Sequence, residues 1–176
     1  PVNNDTTFDK VTSPSVPDYT PTKAEVPAKE NVTATDEDIV ETVVYNPTKV
    51  TVTPNNPNVD PEKPLNPNDP NGLKYKDLKL TEEVKRTITY AYADDVADTS
   101  KRGTDAAPKH ETTVSFTRTA TVNQATGEVT YGDWTAVNND TTLEGKTELP
   151  VIPGYVATGD VESVKKDVAN VSATDK

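Results

Sequence analysis

The chain has 176 residues, with 18 Lys and Arg against 29 Asp and Glu, a net charge of -11, 32% hydrophobic residues and no Cys or Met. That balance argues against a nucleic-acid binder, which needs clustered cations, and the lack of cysteine excludes a disulfide frame or thiolate metal site. One Trp and two Phe supply so little core that small, elongated units fit better than one large globule.

Near its start the chain reads "VNNDTT" from Val2, and the same six residues return from Val137. The match continues: Pro14, Pro17 and Tyr19 fall on Pro150, Pro153 and Tyr155, and "NVTATD" from Asn31 falls on "NVSATD" from Asn170. The offset grows from 135 (Val2 to Val137) to 139 (Asn31 to Asn170), a drift that short loop insertions explain. Two copies of one unit are therefore present, the first lacking its beginning, as in a repeat array.

Residues 38–46, "DIVETVVYN", are rich in β-branched side chains and predict a strand. After them, seven of the 15 prolines fall between Pro47 and Pro70, which suits an extended, semi-rigid spacer. Its opening "VTVT" also fits an edge strand. The expected boundaries are the end of a preceding unit over 1–46, a Pro/Asn-rich linker over 47–75 and a nearly complete unit over 76–176.

In that second unit "EEVKRTITYAYA" from Glu82 alternates, with Val84, Arg86, Ile88 and Tyr90 on one face. "ETTVSFTRTATVN" from Glu111 alternates further, with Val114, Phe116, Arg118, Ala120 and Val122 together. This period of two predicts half-buried strands. "QATGEVTYGDW" adds a turn at Thr126-Gly127 and a strand through Val129 and Tyr131, completing a hairpin. Val161, Val164, Val168 and Val171 have helical spacing, but β-branching counts against a helix, and Pro27 disfavours one in the first copy. The predicted fold class is mainly β. The second copy stops where the first runs on into 38–46, so strand 38–45 is expected to fill an open sheet position, in this chain or a neighbour.

No thiol nucleophile, "GxSxG" or phosphate-cradling loop occurs, and the one histidine, His110, is expected at the surface, so no enzyme is predicted. Acidic clusters at 35–38, 66–72 and 93–98 offer oxygen ligands for Ca2+ but lack EF-hand spacing; hydrated loops fit them better. Lys, Asn and Glu side chains leave an isopeptide bond open. Arg86 and Arg118 suit cross-strand carboxylate pairs, or an exposed Arg-Tyr face for an acidic sugar.

Taken together, "VKRTITY", "VSFTRTATVNQATGEVTYGDW", "LPVIPGYVATGDV" and "PLNPNDPNGLKY" resemble the repeats of lactobacillar mucus-binding proteins, in particular their B2 subdomain. A preceding subdomain with a "YxD…G" pattern is not found. The resemblance implies an elongated, β-rich, β-grasp-like (α+β) module of a secreted, wall-anchored adhesin, with no membrane insertion by this segment. Host mucin glycans are the implied partner, immunoglobulins a further one, and neighbouring repeats would stack on it. A stalk without a binding site, or a module that adds a strand to a partner, remain alternatives. Tyr90, Arg118, Tyr131 and Trp134 are the candidate glycan-binding residues, each also a candidate for the core. No cofactor is expected, Ca2+ being left open.

Overall fold

A computed structural model describes residues 2–56 and 58–175. Ten strands follow in chain order: β1 Val11–Thr12, β2 Tyr19–Pro21, β3 Glu25–Val26, β4 Tyr45–Pro47, β5 Lys49–Val52, β6 Thr81–Ala91, β7 Asp105–Thr117, β8 Ala120–Asn123, β9 Val129–Tyr131 and β10 Thr135–Ala136. One short helix, α1, spans Val161–Lys165. The fold is thus mainly β, as the alternating sequence predicts.

The chain divides into two compact units. Unit 1 comprises Pro1–Leu78 with Ala120–Tyr131, and unit 2 comprises Lys79–Thr119 with Gly132–Lys176. The chain therefore leaves unit 2 after β7, builds β8 and β9 into unit 1, and returns at β10.

Unit 2 is built on the antiparallel β6–β7 hairpin, with β10 on the other edge of β7. Val84 pairs with Val114 and Ile88 with His110. Val84, Ile88, Val114 and Phe116 are all buried, which is the face the alternation assigns. Burying a side chain such as Phe116 contributes roughly 2–3 kcal/mol. Val84, Val114 and Phe116 pack on Leu143, Val171 and Ala173, with Trp134 and Ala136 against the cluster. Beyond Ile88 the register shifts, and Tyr90 pairs with Ala107. The extra β7 residue lies where Pro108 has no N–H to offer the ladder, so a bulge forms there.

Unit 1 holds a second antiparallel sheet, ordered β5-β8-β9, with Val52, Ala120 and Val122 buried. Gly127 closes the β8–β9 turn at φ +75°, its N–H donating to the Asn123 carbonyl at 2.8 Å. Residues 47–75, read from the sequence as a spacer, supply β5 and also bury Leu65 and Tyr75. Glu62 bonds Lys74 at 2.9 Å and Lys76 at 2.8 Å, which ties the loop back on itself.

The two "VNNDTT" copies share one backbone design. Asn3 and Asn4, like Asn138 and Asn139, have positive φ, a region Asn tolerates better than most residues. The Asp5 carboxylate accepts from Thr7 N and that of Asp140 from Thr142 N, both at 3.0 Å. Phe8 exchanges both backbone bonds with Lys29, as Leu143 does with Val168, all at 2.9 Å. Val32 N donates to the Thr6 carbonyl at 2.8 Å and Val171 N to that of Thr141 at 2.9 Å. Each copy closes with a carboxylate, Asp36 or Asp175, accepting from Thr33 N or Ser172 N.

Two expectations are corrected. The strand predicted over 111–123 is broken after Thr117: Arg118 N turns aside to the Leu80 carbonyl at 3.0 Å, and the two halves serve different cores. The strand predicted over 38–45 does not form along its length; only β4 at its end is regular, and it pairs with β2 inside unit 1. Val40, at 87% exposed, shows that its β-branched residues find no sheet to cover them. In the valine-spaced stretch, where β-branching counts against a helix, only α1 is helical, capped by the Asp160 carboxylate accepting from Ser163 N at 3.1 Å. Past Lys165 the chain needs Val168 for the bridge to Leu143.

Candidate functional site

Of the sequence candidates, Arg118 and Trp134 meet, and Tyr90 lines a groove elsewhere in the same unit. Tyr90, Arg118 and Trp134 lie in unit 2 and Tyr131 lies in unit 1. The Arg118 guanidinium stacks 4.3 Å from the Trp134 ring centroid, and its Nε donates to the Lys79 carbonyl at 2.8 Å. Trp134 is half-buried against the unit 2 core. The cation and ring thus lie in contact beside the strand break. Tyr131 ends β9 opposite Ala120 and is 39% exposed.

Arg86 also has a structural task. Its two terminal nitrogens donate to five backbone carbonyls: Lys166 at 2.7 Å, Ser163 at 3.0 Å, Glu144 and Val164 at 3.3 Å, and Leu143 at 3.5 Å. Several of these oxygens end α1, where the helix leaves carbonyls unpaired and the dipole favours a cation. The carboxylate pair expected for Arg86 is replaced by this carbonyl cluster. His110 is half-buried in β7 rather than at the surface, and its Nε2 is buried without a hydrogen-bond partner among the described residues.

Tyr90 leads to a different place. It lines a groove of about 490 Å³ in unit 2, walled by the end of β6, the loop after it and residues 149–158. The β6–β7 register shifts on both sides of Tyr90, at this end of the strand. The Tyr90 hydroxyl is buried without a hydrogen-bond partner among the described residues. Beside it the Tyr92 and Tyr155 rings meet edge to face, centroids 4.8 Å apart and planes at 67°. The Lys101 ammonium stands 5.4 Å from the Tyr92 centroid and 5.5 Å from that of Tyr155.

Backbone turns hold this cation. Gly103 N donates to the Tyr92 carbonyl and Lys101 N to that of Asp98. The Ser100 hydroxyl and backbone N–H hold the Asp98 carboxyl below its usual range, so a negative charge stays 3.8 Å from Lys101. Gly154, at φ +82°, turns the opposite wall so that Tyr155 faces in. The groove offers ring surface, and the Lys101 ammonium stands beside the Tyr92 and Tyr155 rings. Such a set suits a ligand with apolar C–H faces, many hydroxyls and an acidic group. The sequence reading named Tyr90 but used Tyr92 and Tyr155 less fully and missed Lys101. The signal for Tyr155 is its place in the second copy of "P-x-x-P-x-Y"; Lys101 has none.

Among the described residues no three His, Cys, Asp or Glu side chains are grouped to hold a metal ion. No helix of those residues is long and apolar enough to cross a membrane.

Comparison with solved structures finds a type 2 repeat of the mucus-binding protein MUB from Lactobacillus reuteri, at 20% identity and a TM-score of 0.38, covering 87% of this chain and 76% of that one. No curated protein sequence matches. The family model described as "Muc B2-like domain" matches residues 2–49 and 75–176. Those two stretches take in both "VNNDTT" copies and the β6–β7 hairpin, and the chain belongs to the Muc B2-like domain family.

Proposed function

We propose that the chain is an adhesin-type repeat, displayed outside the cell, that binds mucin glycans through the Tyr90–Tyr92–Tyr155 groove with Lys101 at the acidic end of the sugar. The observation that carries the reading is the two-ring wall with an ammonium 5.4 and 5.5 Å from its centroids. Ring faces stack on sugar C–H groups, and the cation answers a sialic carboxylate or a sulfate. The family, whose name concerns mucus, supports the same partner. One site of this size binds weakly, and a fibre of such units gains by avidity.

The test is binding of the chain to immobilised mucin before and after sialidase treatment, with Tyr155→Ala and Lys101→Gln beside the parent. Loss of one ring contact of about 1 kcal/mol lowers affinity roughly fivefold. Tyr155→Ala is expected to weaken binding by that amount on both mucins. Lys101→Gln is expected to weaken it only on the untreated one. Binding equal to that of an unrelated acidic protein would leave the repeat a spacer.

A further inference from the structure

Residues 50–74 lie between the two stretches that the family model matches, and they carry two Asp-Pro bonds, Asp60-Pro61 and Asp69-Pro70. Each opens a tight turn: Lys63 N donates to the Asp60 carbonyl at 3.2 Å, and Gly72 N to the Asp69 carbonyl at 3.1 Å. The two Asp side chains differ. The Asp60 carboxylate accepts from Glu62 N at 2.9 Å. The Asp69 carboxylate has no hydrogen bond or ion pair among the described residues. It lies back over its own turn, for a Cβ on Gly72 would stand 2.5 Å from Asp69 Oδ2. The bare Gly72 leaves it that room. Asp69 and Pro70 are both exposed to water.

We propose that the Asp69-Pro70 bond is a self-cleavage site promoted by acid, and that the cut chain stays assembled. The bond to Pro70 is a tertiary amide, and its nitrogen, alkylated in place of N–H, is a good proton acceptor. The free Asp69 carboxylate attacks the carbonyl carbon of its own residue and closes a cyclic anhydride. The electron pair displaced onto the carbonyl oxygen meets the Gly72 N–H that already donates there, as an oxyanion requires. The C–N bond then breaks, and the Pro70 nitrogen leaves with a proton from solvent. One water opens the anhydride. The net reaction is hydrolysis, with Asp69 as the new carboxyl terminus and Pro70 as the new amino terminus. Other charges of the loop are engaged elsewhere: Asp77 accepts from Lys74 N, and Glu62 pairs with Lys74 and Lys76. Lys63 makes no ion pair among the described residues, and the β8–β9 turn, which meets the loop at Asn66, carries only Glu128.

The pieces hold together because unit 1 is built from both. β5, before the cut, pairs with β8, after it. Leu65 N donates to the Leu73 carbonyl at 2.8 Å and Tyr75 N to that of Lys63 at 3.2 Å, and Leu65 and Tyr75 are buried. Acid would thus turn a covalent link between the two matched stretches into a packed one.

The full chain is held at about pH 4 and about pH 7, with and without urea, and the products are weighed by mass spectrometry. In the folded chain at the lower pH, cleavage at Asp69-Pro70 is expected to be about tenfold or more faster than at Asp60-Pro61, whose carboxylate is tied to Glu62 N. Urea is expected to erase the preference. Asp69→Asn is expected to abolish the cut, and Asp60→Asn to leave it unchanged. Gly72→Ala, whose Cβ displaces the Asp69 carboxylate, is expected to slow it about tenfold. Equal rates at the two bonds in the folded chain, or a rate at Asp69-Pro70 as fast in urea, would overturn the proposal, since any Asp-Pro bond would then do the same. Back at neutral pH the pieces are expected to elute together at the parent's size and to part in urea; parting without urea overturns the assembled state. Mucin has no part in these readouts, so they stand or fall apart from the glycan reading.

Discussion

At the scale of single residues, the structure separates side chains that look alike in sequence. Arg86 and Arg118 each open an "RT" pair in an alternating stretch of sequence, yet one lies in β6 and bonds carbonyls across the unit while the other lies at the strand break and stacks on Trp134. Five acceptors around one guanidinium need its planar fork, which an ammonium cannot reproduce. Arg86→Lys is therefore expected to destabilise unit 2 nearly as much as Arg86→Ala, by about 1–2 kcal/mol, because exposed and part-buried carbonyls lose a charged donor. Chemical denaturation followed by Trp134 fluorescence measures this, and a lysine variant as stable as the parent would refute it. Gly127 gives a second case. A Cβ there would lie 2.7–2.9 Å from Asn66 atoms, two of them backbone, and φ is +75°. Gly127→Ala is expected to cost unit 1 roughly 1–3 kcal/mol, since neither the clash nor the conformation is relieved by a side-chain move. Exchange at the Val122 amide reports it.

At the scale of elements, what was legible in sequence was whatever local pattern decides. The alternation in β6 and β7 names the buried face because side chains in a strand alternate whatever the partner, and the turn at Gly127 follows from its own residues. The break at Arg118 was not legible, because "FTRTATV" keeps its period across it; only the carbonyls of Lys79 and Leu80, far off in sequence, turn the chain. Residues 38–44 carry strand propensity and no partner, so propensity misled there. The groove was half legible: Tyr90 sits in a readable strand, whereas Tyr92, Lys101 and Tyr155 meet only through loops. The proline-rich segment had the same difficulty. Its Glu62 lies between Lys74 and Lys76, which reach it from a dozen residues away. Those bonds, that to Lys76 first, hold the Glu62 carboxyl below its usual 4.5. A carboxyl depressed on folding stabilises the closed loop fully above 4.5 and loses that effect as pH falls through its lower folded value. The Tyr75 and Lys76 amides are expected to exchange faster, relative to intrinsic rates, as pH drops below that range. Glu62→Gln should open the loop at neutral pH and remove the dependence. The effect is small because the cluster is exposed and screened.

At the scale of the whole chain, charge sets a limit on how an acidic glycan is met. The net charge of -11 repels a sialylated mucin over long distances, while the Lys101 contact attracts only at short range. The Debye length falls from about 30 Å at 0.01 M salt to about 8 Å at 0.15 M. Over that interval salt removes the distant repulsion of many carboxylates and leaves a contact pair at a few ångströms much less affected. The association rate for untreated mucin is therefore expected to rise with salt up to about 0.15 M, then to level or fall as the Lys101 contact is screened in turn. After sialidase treatment the early rise should flatten, because the repelled charges are gone. A rate that falls steadily from the lowest salt, as it does for cationic proteins on polyanions, would mean that a positive field steers the encounter. Lys101 in its acidic surroundings could not then be the group that meets the sugar.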